Sequence, residues 1–403
     1  MTRLEEKKKQ YPPLKLVALF VAIAPLLAPY GVAGIRVNWI LGIACVLYSF
    51  LRDRFALVVE TKHYALLLFM AALTVFSING LVILQTKNAL INSLIMLFVV
   101  FWFYASAWRL TTFSYVIKYA IVIGWICVAF SFYQLVVTAA GGEASLGQLP
   151  FFNVETGWVE EHWGYRFNSL FSEPSYFALY LLPLFAYCYR HKKWLHAIVM
   201  LIGIVVSSSS LGIVGAIVIM LFEFLVSKRG RMRSVLMMVS LVLVLILLYL
   251  LFPAVQEMVG RTVEKLFKAE FGDLRLFGYF SMYRRYAPKE LLFGVGMNQF
   301  KNYMGQQGVF VYNYSNTLVY MLLQNGLAGL LALLGYLAAV VKYSAKNKTV
   351  LFLIPFLLLL VLDYAVFSDR FYYLLYFVMY YKYKDSKREN DADESPVCNA
   401  KCT

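Results

Sequence analysis

Apolar runs of roughly 15 to 25 residues recur along almost the whole chain, each long enough to cross a bilayer as a helix. Strands of a membrane barrel would be near ten residues and would alternate polar with apolar, which these runs do not do. The composition agrees. Of 403 residues, 61% are hydrophobic and 15% charged, and mean hydropathy is +0.68. A soluble domain carries nearer a quarter charged residues. The expectation is an all-α polytopic integral membrane protein.

Hydropathy places about twelve transmembrane helices near 14-30, 37-51, 63-80, 89-108, 113-139, 172-190, 194-208, 210-227, 234-252, 315-341, 349-367 and 370-383. The seventh is short, and "SSSS" (207-210) makes either a tight hairpin or a re-entrant break there. The first could pass for a signal peptide, but the many spans that follow make it a retained helix.

Charge then fixes sidedness. The net charge of +15 is not spread as a nucleic-acid surface would be; it sits in short clusters between apolar runs. The basic clusters near the N-terminus and at 52-54, 190-193, 228-233, 342-348 and 382-388 all fall on one side in a twelve-span count. The positive-inside rule makes that side cytoplasmic, with both termini.

The chain then divides into N-terminal transmembrane helices (1-139), an outer loop (140-171), central transmembrane helices (172-252), a large outer loop (253-314), C-terminal transmembrane helices (315-383) and a cytoplasmic tail (384-403). The large loop opens with apolar residues at helical spacing between charges, the pattern of an amphipathic helix on a membrane surface. Cys45, Cys127 and Cys188 lie in apolar runs as small core residues, whereas Cys398 and Cys402 lie in the tail.

The unexplained charges are on the outer side. Arg166, Arg275, Arg284, Arg285 and Arg370 run against the positive-inside bias. Arginine's planar fork suits phosphate oxygens, so several converging would hold a pyrophosphate; solvated charge or lipid headgroup contact is the plain alternative. In "RFNSLFSEPSYFALYLLP" (166-183), Glu173 precedes a proline at a helix start. It can cap the helix, pair with an arginine or act as a base. His162 in "EEHWGYRF" is the one outer histidine, surface or acid-base, beside Trp158, Trp163 and Tyr165. No P-loop, GxGxxG or HExxH occurs, and no outer carboxylate pair has convincing metal spacing. An outer site sees no nucleotide sugar, so a transfer there needs a donor that carries its own activation, such as a lipid pyrophosphate.

These residues carry a resemblance. "RFNSLFSEPSYFALYLLP", "RYAPKELLFGVG" with Arg285, ten residues and Gly296, and "SNTLVYMLLQNGLAG" with Asn316, Gly326 and Gly329 occur in the order found in Wzy-type O-antigen and capsular polysaccharide polymerases. The chain resembles that family, within the O-antigen ligase-like superfamily, across most of its length. Ser315 stands where the ligases carry a histidine, which favours a polymerase.

The resemblance implies an inverting, metal-independent glycosyltransferase without cofactor, joining undecaprenyl-pyrophosphate-linked oligosaccharides at the outer face of the bacterial inner membrane. It implies Glu173, Arg166 and Arg285 as catalytic residues and Arg275, Arg284, His162, Asn316, Tyr314 and Arg370 as substrate contacts. Membrane lipids and a chain-length regulator are the other expected partners. A ligase with a different glycan acceptor is the near alternative. A flippase without chemistry is the distant one, disfavoured because it should carry mid-membrane charge and related halves.

Overall fold

The computed structural model describes residues 14-53, 58-84, 90-91, 94-154, 158, 166-226, 239, 246, 250, 256, 260, 280-311, 316-362 and 364-382. Helices dominate them: α1 (Lys15–Leu27), α2 (Val37–Arg52), α3 (Tyr64–Leu84), α4 (Val100–Leu110), α5 (Phe113–Ala139), α6 (Pro174–Arg190), α7 (Trp194–Val206), α8 (Ser210–Val226), α9 (Pro288–Phe293), α10 (Phe300–Gln306), α11 (Thr317–Asn347), α12 (Val350–Leu362) and α13 (Asp369–Tyr380).

Three stretches are long and apolar enough to cross a membrane: Thr61–Leu84, Phe113–Ala139 and Thr317–Asn347. Their outward residues are apolar too. Leu68 and Val82 on α3 are 74% and 71% exposed, the inverse of a water-facing helix surface. The span expected at 234-252 and most of the amphipathic segment of the large loop lie outside the described residues, as does the C-terminal tail.

Helices α6 and α13 form the centre. Thirteen residues of α6 and ten of the twelve in α13 are buried. Helix α13 packs on α1, α6, α11 and α12. Tyr180 of α6 stacks on Tyr373 of α13 at 4.9 Å. The Tyr180 hydroxyl donates to Ala22 O of α1 (3.1 Å) and Ala120 O of α5 (3.3 Å). In a bundle whose exterior is as apolar as its interior, such ring stacking and backbone hydrogen bonds do much of the selecting between helix faces.

Contacts between helix ends sort several of them into two sets. At the end labelled inner, Leu14 N donates to Leu110 O (2.9 Å), Arg109 pairs with Asp53 (2.6 Å) and Tyr343 donates to Met379 O (3.0 Å). At the other end, Asn79 donates to Gly294 O (2.7 Å) and Tyr364 to Gln324 Oε1 (2.7 Å).

Two features of the outer end depart from or refine the expectations. The first is a small antiparallel sheet of β1 (Tyr30–Val32), β2 (Ile35–Arg36) and β3 (Asn153–Val154), in the order β2-β1-β3, in a chain expected to be all-α. Val32 pairs with Ile35 across Ala33 and Gly34, which have φ of 52° and 79°, the type I′ geometry that closes a two-residue hairpin. The second is "SSSS", which forms a tight hairpin and no re-entrant break. Helix α7 ends at Val206 and α8 starts at Ser210. Ser207 Oγ donates to Ile204 O (2.6 Å) and accepts from Ser209 N (3.2 Å), so hydroxyls take up backbone groups that the turn releases.

Candidate functional site at the outer mouth

The loop preceding α6 is fixed from below by one side chain. Gln134, fully buried near the end of α5, accepts from Ser169 N (2.9 Å) and donates to Ser145 O (2.8 Å). Ser169 Oγ donates to Cys127 O (2.6 Å), and Asn168 Nδ2 to Leu146 O (2.9 Å). Phe167 and Phe171 are buried on either side. The stretch 167-171 is therefore an anchor: its polar atoms satisfy backbone groups, and it holds half-buried Arg166 and Glu173 at its two ends.

Glu173 occupies the N-cap position of α6, with Pro174 as the first helical residue. Its carboxylate makes no capping hydrogen bond to the backbone; it accepts from Ser175 Oγ at 3.1 Å. Simple capping does not account for this residue. One helical turn in, Tyr176 carries the Arg370 guanidinium 3.2 Å from its ring centre, a cation–π contact. The last outer turn and the Glu-Pro-Ser helix start, almost two hundred residues apart, thus meet on the two central helices.

Residues not singled out by the sequence complete this mouth. Asp369, at the start of α13, is buried and accepts a hydrogen bond from the Tyr104 hydroxyl of α4. Arg36, Arg370 and the Asn38 amide, which donates to Ala24 O (2.8 Å), all favour the charge of that carboxylate. Arg36 also lies 6.0 Å from the Trp39 ring centre.

Arg284 and Arg285 are placed differently. They end a short 3₁₀ helix (Phe280–Arg285), both exposed, and among the described residues no ion pair joins them to Glu173. Beyond them, the second and third motifs clasp each other. Gly296 N donates to Gln324 O (2.8 Å). Gly294 has φ of 72°, and a Cβ there would sit 2.2 Å from Gln324 O. Gly326, at φ 64° and ψ −167°, kinks α11 and would bring a Cβ within 2.4 Å of Leu292 O. These glycines are needed because two backbones touch, and the carbonyl freed at the kink is taken by Gly296.

Nearby, Tyr303 donates to Glu290 Oε2 (2.7 Å), which also accepts from Ala287 N (2.7 Å). Burial, with the Glu290 bond adding to it, raises the Tyr303 phenol to about 12, so it remains a donor at neutral pH. Asn316 is the N-cap of α11, its Oδ1 accepting from Val319 N at 3.0 Å. Trp158 packs on Tyr30 at 5.4 Å and donates to Leu146 O (3.1 Å), which turns a candidate sugar platform into a prop for the first outer loop.

His162, Arg275 and Tyr314 lie outside the described residues, as do Trp163, Tyr165 and Ser315. Among the described residues no His, Cys, Asp and Glu group has the make-up of a metal site. No protein-family model matches this chain, and comparison with curated proteins finds no significant match.

Proposed function

We propose that this chain is a multi-pass membrane glycosyltransferase that polymerises undecaprenyl-pyrophosphate-linked repeat units at the outer face of a bacterial inner membrane, with both termini cytoplasmic. The observation that carries the proposal is the stacking of Arg370 on Tyr176, three residues beyond Glu173, at the outer mouth between two largely buried helices. Arginine and carboxylate at the starts of two neighbouring helices are what a lipid pyrophosphate donor needs. An acceptor sugar hydroxyl attacks the anomeric carbon, the bond to the pyrophosphate oxygen breaks, and the electron pair leaves with the lipid pyrophosphate. Glu173 takes the hydroxyl proton. Arg370 and Arg166 offset the charge growing on the leaving group, where a dry environment strengthens each contact.

In this mechanism Arg285 and Arg284 contact the pyrophosphate or the incoming sugar from the large loop, and arginine replaces a metal ion. His162, Arg275 and Tyr314, which lie outside the described residues, remain proposed substrate contacts. Deleting the chain from its host should leave single repeat units at the surface and remove the polymer ladder, and Glu173→Gln should reproduce the deletion at normal membrane level. Loss of all surface glycan would instead indicate a flippase, and intact polymer on an unglycosylated acceptor core a ligase.

A further inference from the structure

We infer that Asp369 is a positioning residue that sets the Arg370 guanidinium for the anionic group at the outer mouth, with Tyr104 holding Asp369 in turn. The inference rests on the reading of this mouth as a pyrophosphate site and adds to it a residue that touches no substrate.

A carboxylate beside a proposed anion site is unexpected, because it opposes the ligand's charge. Asp369 nevertheless is only 9% exposed and accepts from the buried Tyr104 hydroxyl. A carboxylate in an apolar bundle is expensive unless something holds it. The Tyr104 phenol reaches it from α4, and Asn38, Arg36 and, at the next position of α13, Arg370 favour its charge. The ring of Tyr104 is itself clamped, stacked on Tyr372 at 4.6 Å. The start of α13, capped by Ser368 Oγ accepting from Phe371 N (3.3 Å), favours negative charge at this point.

Arg370 is thereby subject to two influences, a ring contact and a neighbouring charge. Tyr176 of α6 engages the face of its guanidinium, and the Asp369 field draws it toward α13. A guanidinium held in one plane presents its donors in a fixed fork, which is what bidentate phosphate binding requires. Removal of Asp369 has two opposite consequences. Losing a negative charge alone would strengthen anion binding, whereas losing the alignment of Arg370 would weaken it. The sign of the change separates the two.

The test uses the full chain in detergent or nanodiscs with inorganic pyrophosphate as probe, by calorimetry. Wild type should bind. Asp369→Asn should bind about tenfold more weakly despite its gain in net positive charge. Asp369→Glu should recover part of the loss, and Tyr104→Phe, which changes no charge, should weaken binding severalfold. Adding Asp369→Asn to Arg370→Ala should weaken binding no further than Arg370→Ala alone, since a residue that acts through Arg370 has nothing left to act on. Binding by Asp369→Asn and Tyr104→Phe equal to or tighter than wild type overturns the inference, as does an additive double variant. Failure of wild type to bind pyrophosphate overturns the reading of the mouth itself. Tyr104→Phe gives the answer should the Asp369 variants fail to fold.

Discussion

The two ends of this bundle treat charge in opposite ways. At the inner end cations meet carboxylates: Arg109 with Asp53 (2.6 Å), Lys62 with Glu60 (2.7 Å), Arg190 with Glu223 (3.6 Å). Histidines there bond to tyrosines, His63 to Tyr380 (3.1 Å) and His191 to Tyr381 (2.9 Å). At the outer mouth Arg370 stacks on Tyr176 and Arg36 lies toward Trp39, both also act on the buried Asp369 carboxylate, and the Glu173 carboxylate accepts from a serine hydroxyl. Pairing neutralises charge and closes an end. Stacking on a ring orients a cation and leaves its charge in place. At the inner end even Lys62, which lies 3.1 Å over the Tyr380 ring, also pairs with a carboxylate at 2.7 Å, whereas at the outer mouth Arg370 lies on a ring beside a carboxylate held by a tyrosine.

The comparison is sharpened first where the outer end is structural. The glycine clasp between the large loop and α11 should be as intolerant as the mouth is adaptable. At Gly294 an added Cβ meets backbone at 2.2 Å with φ at 72°, so neither rotamer change nor side-chain movement relieves it. Gly294→Ala should cost about 3 kcal/mol or more, combining backbone strain with overpacking. Thermal unfolding of the purified protein measures this, and a midpoint near wild type would mean that the clasp does not bear load.

Next comes the inner ion pair. Arg109 and Asp53 side chains are both under a tenth exposed, and Arg109 also donates to Val58 O (3.1 Å). Arg109→Met removes the closer partner of a buried carboxylate, leaving Arg52 at 3.6 Å, and should destabilise by about 2 kcal/mol. A double variant with Asp53→Asn should recover part of that. The same removal of charge at Arg370 should shift the unfolding midpoint far less. Equal destabilisation at the two ends would erase the contrast between them.

Arg370→Lys probes the mouth as a site. Lysine keeps the charge but loses the planar fork and the ring stack, so transfer should fall about a hundredfold, equivalent to nearly 3 kcal/mol of transition-state binding. The readout is polymer ladder length at matched membrane level. Full-length ladders from Arg370→Lys would remove this arginine from the chemistry and return it to helix packing.

How much of this was legible in the sequence depended on range. Apolar run lengths and basic clusters are local signals, and the helix ends they placed on one side do meet in the structure, as Leu14 with Leu110 and Asn79 with Gly294 show. Arg370 and Glu173 were visible as charges out of place. The contact of Arg370 with Tyr176, three residues beyond Glu173, is not visible there, because nothing in either segment encodes that α6 and α13 are neighbours. Asp369 is hidden for the same reason: beside an arginine it has the pattern of a solvated pair, and only the fold, which sets it against distant Tyr104, buries it. The sheet joins Gly31 to Asn153, too far apart and too short for a strand pattern. The glycines of the second and third motifs carried a sequence signal whose cause, backbone against backbone, is tertiary.

The smallest effect concerns Asn316, which the motif resemblance offers as a substrate contact and the structure uses as a helix cap. Its side chain is 4% exposed, and its Oδ1 accepts from Val319 N at 3.0 Å, as an N-cap does. Replacing such a cap by alanine costs about 1 kcal/mol. Asn316→Ala should therefore lower the unfolding midpoint by a few degrees or less, with transfer per folded molecule within about twofold of wild type. Asn316→Asp, an equally good cap that adds negative charge, separates the roles further. As a cap it should match wild type in stability. As a residue touching a pyrophosphate it should repel the donor and cut activity about tenfold. Wild-type stability with activity lost in the aspartate variant would extend the electrostatically active mouth from α6 and α13 to the start of α11. Wild-type behaviour in both respects would confine that mouth to the two central helices.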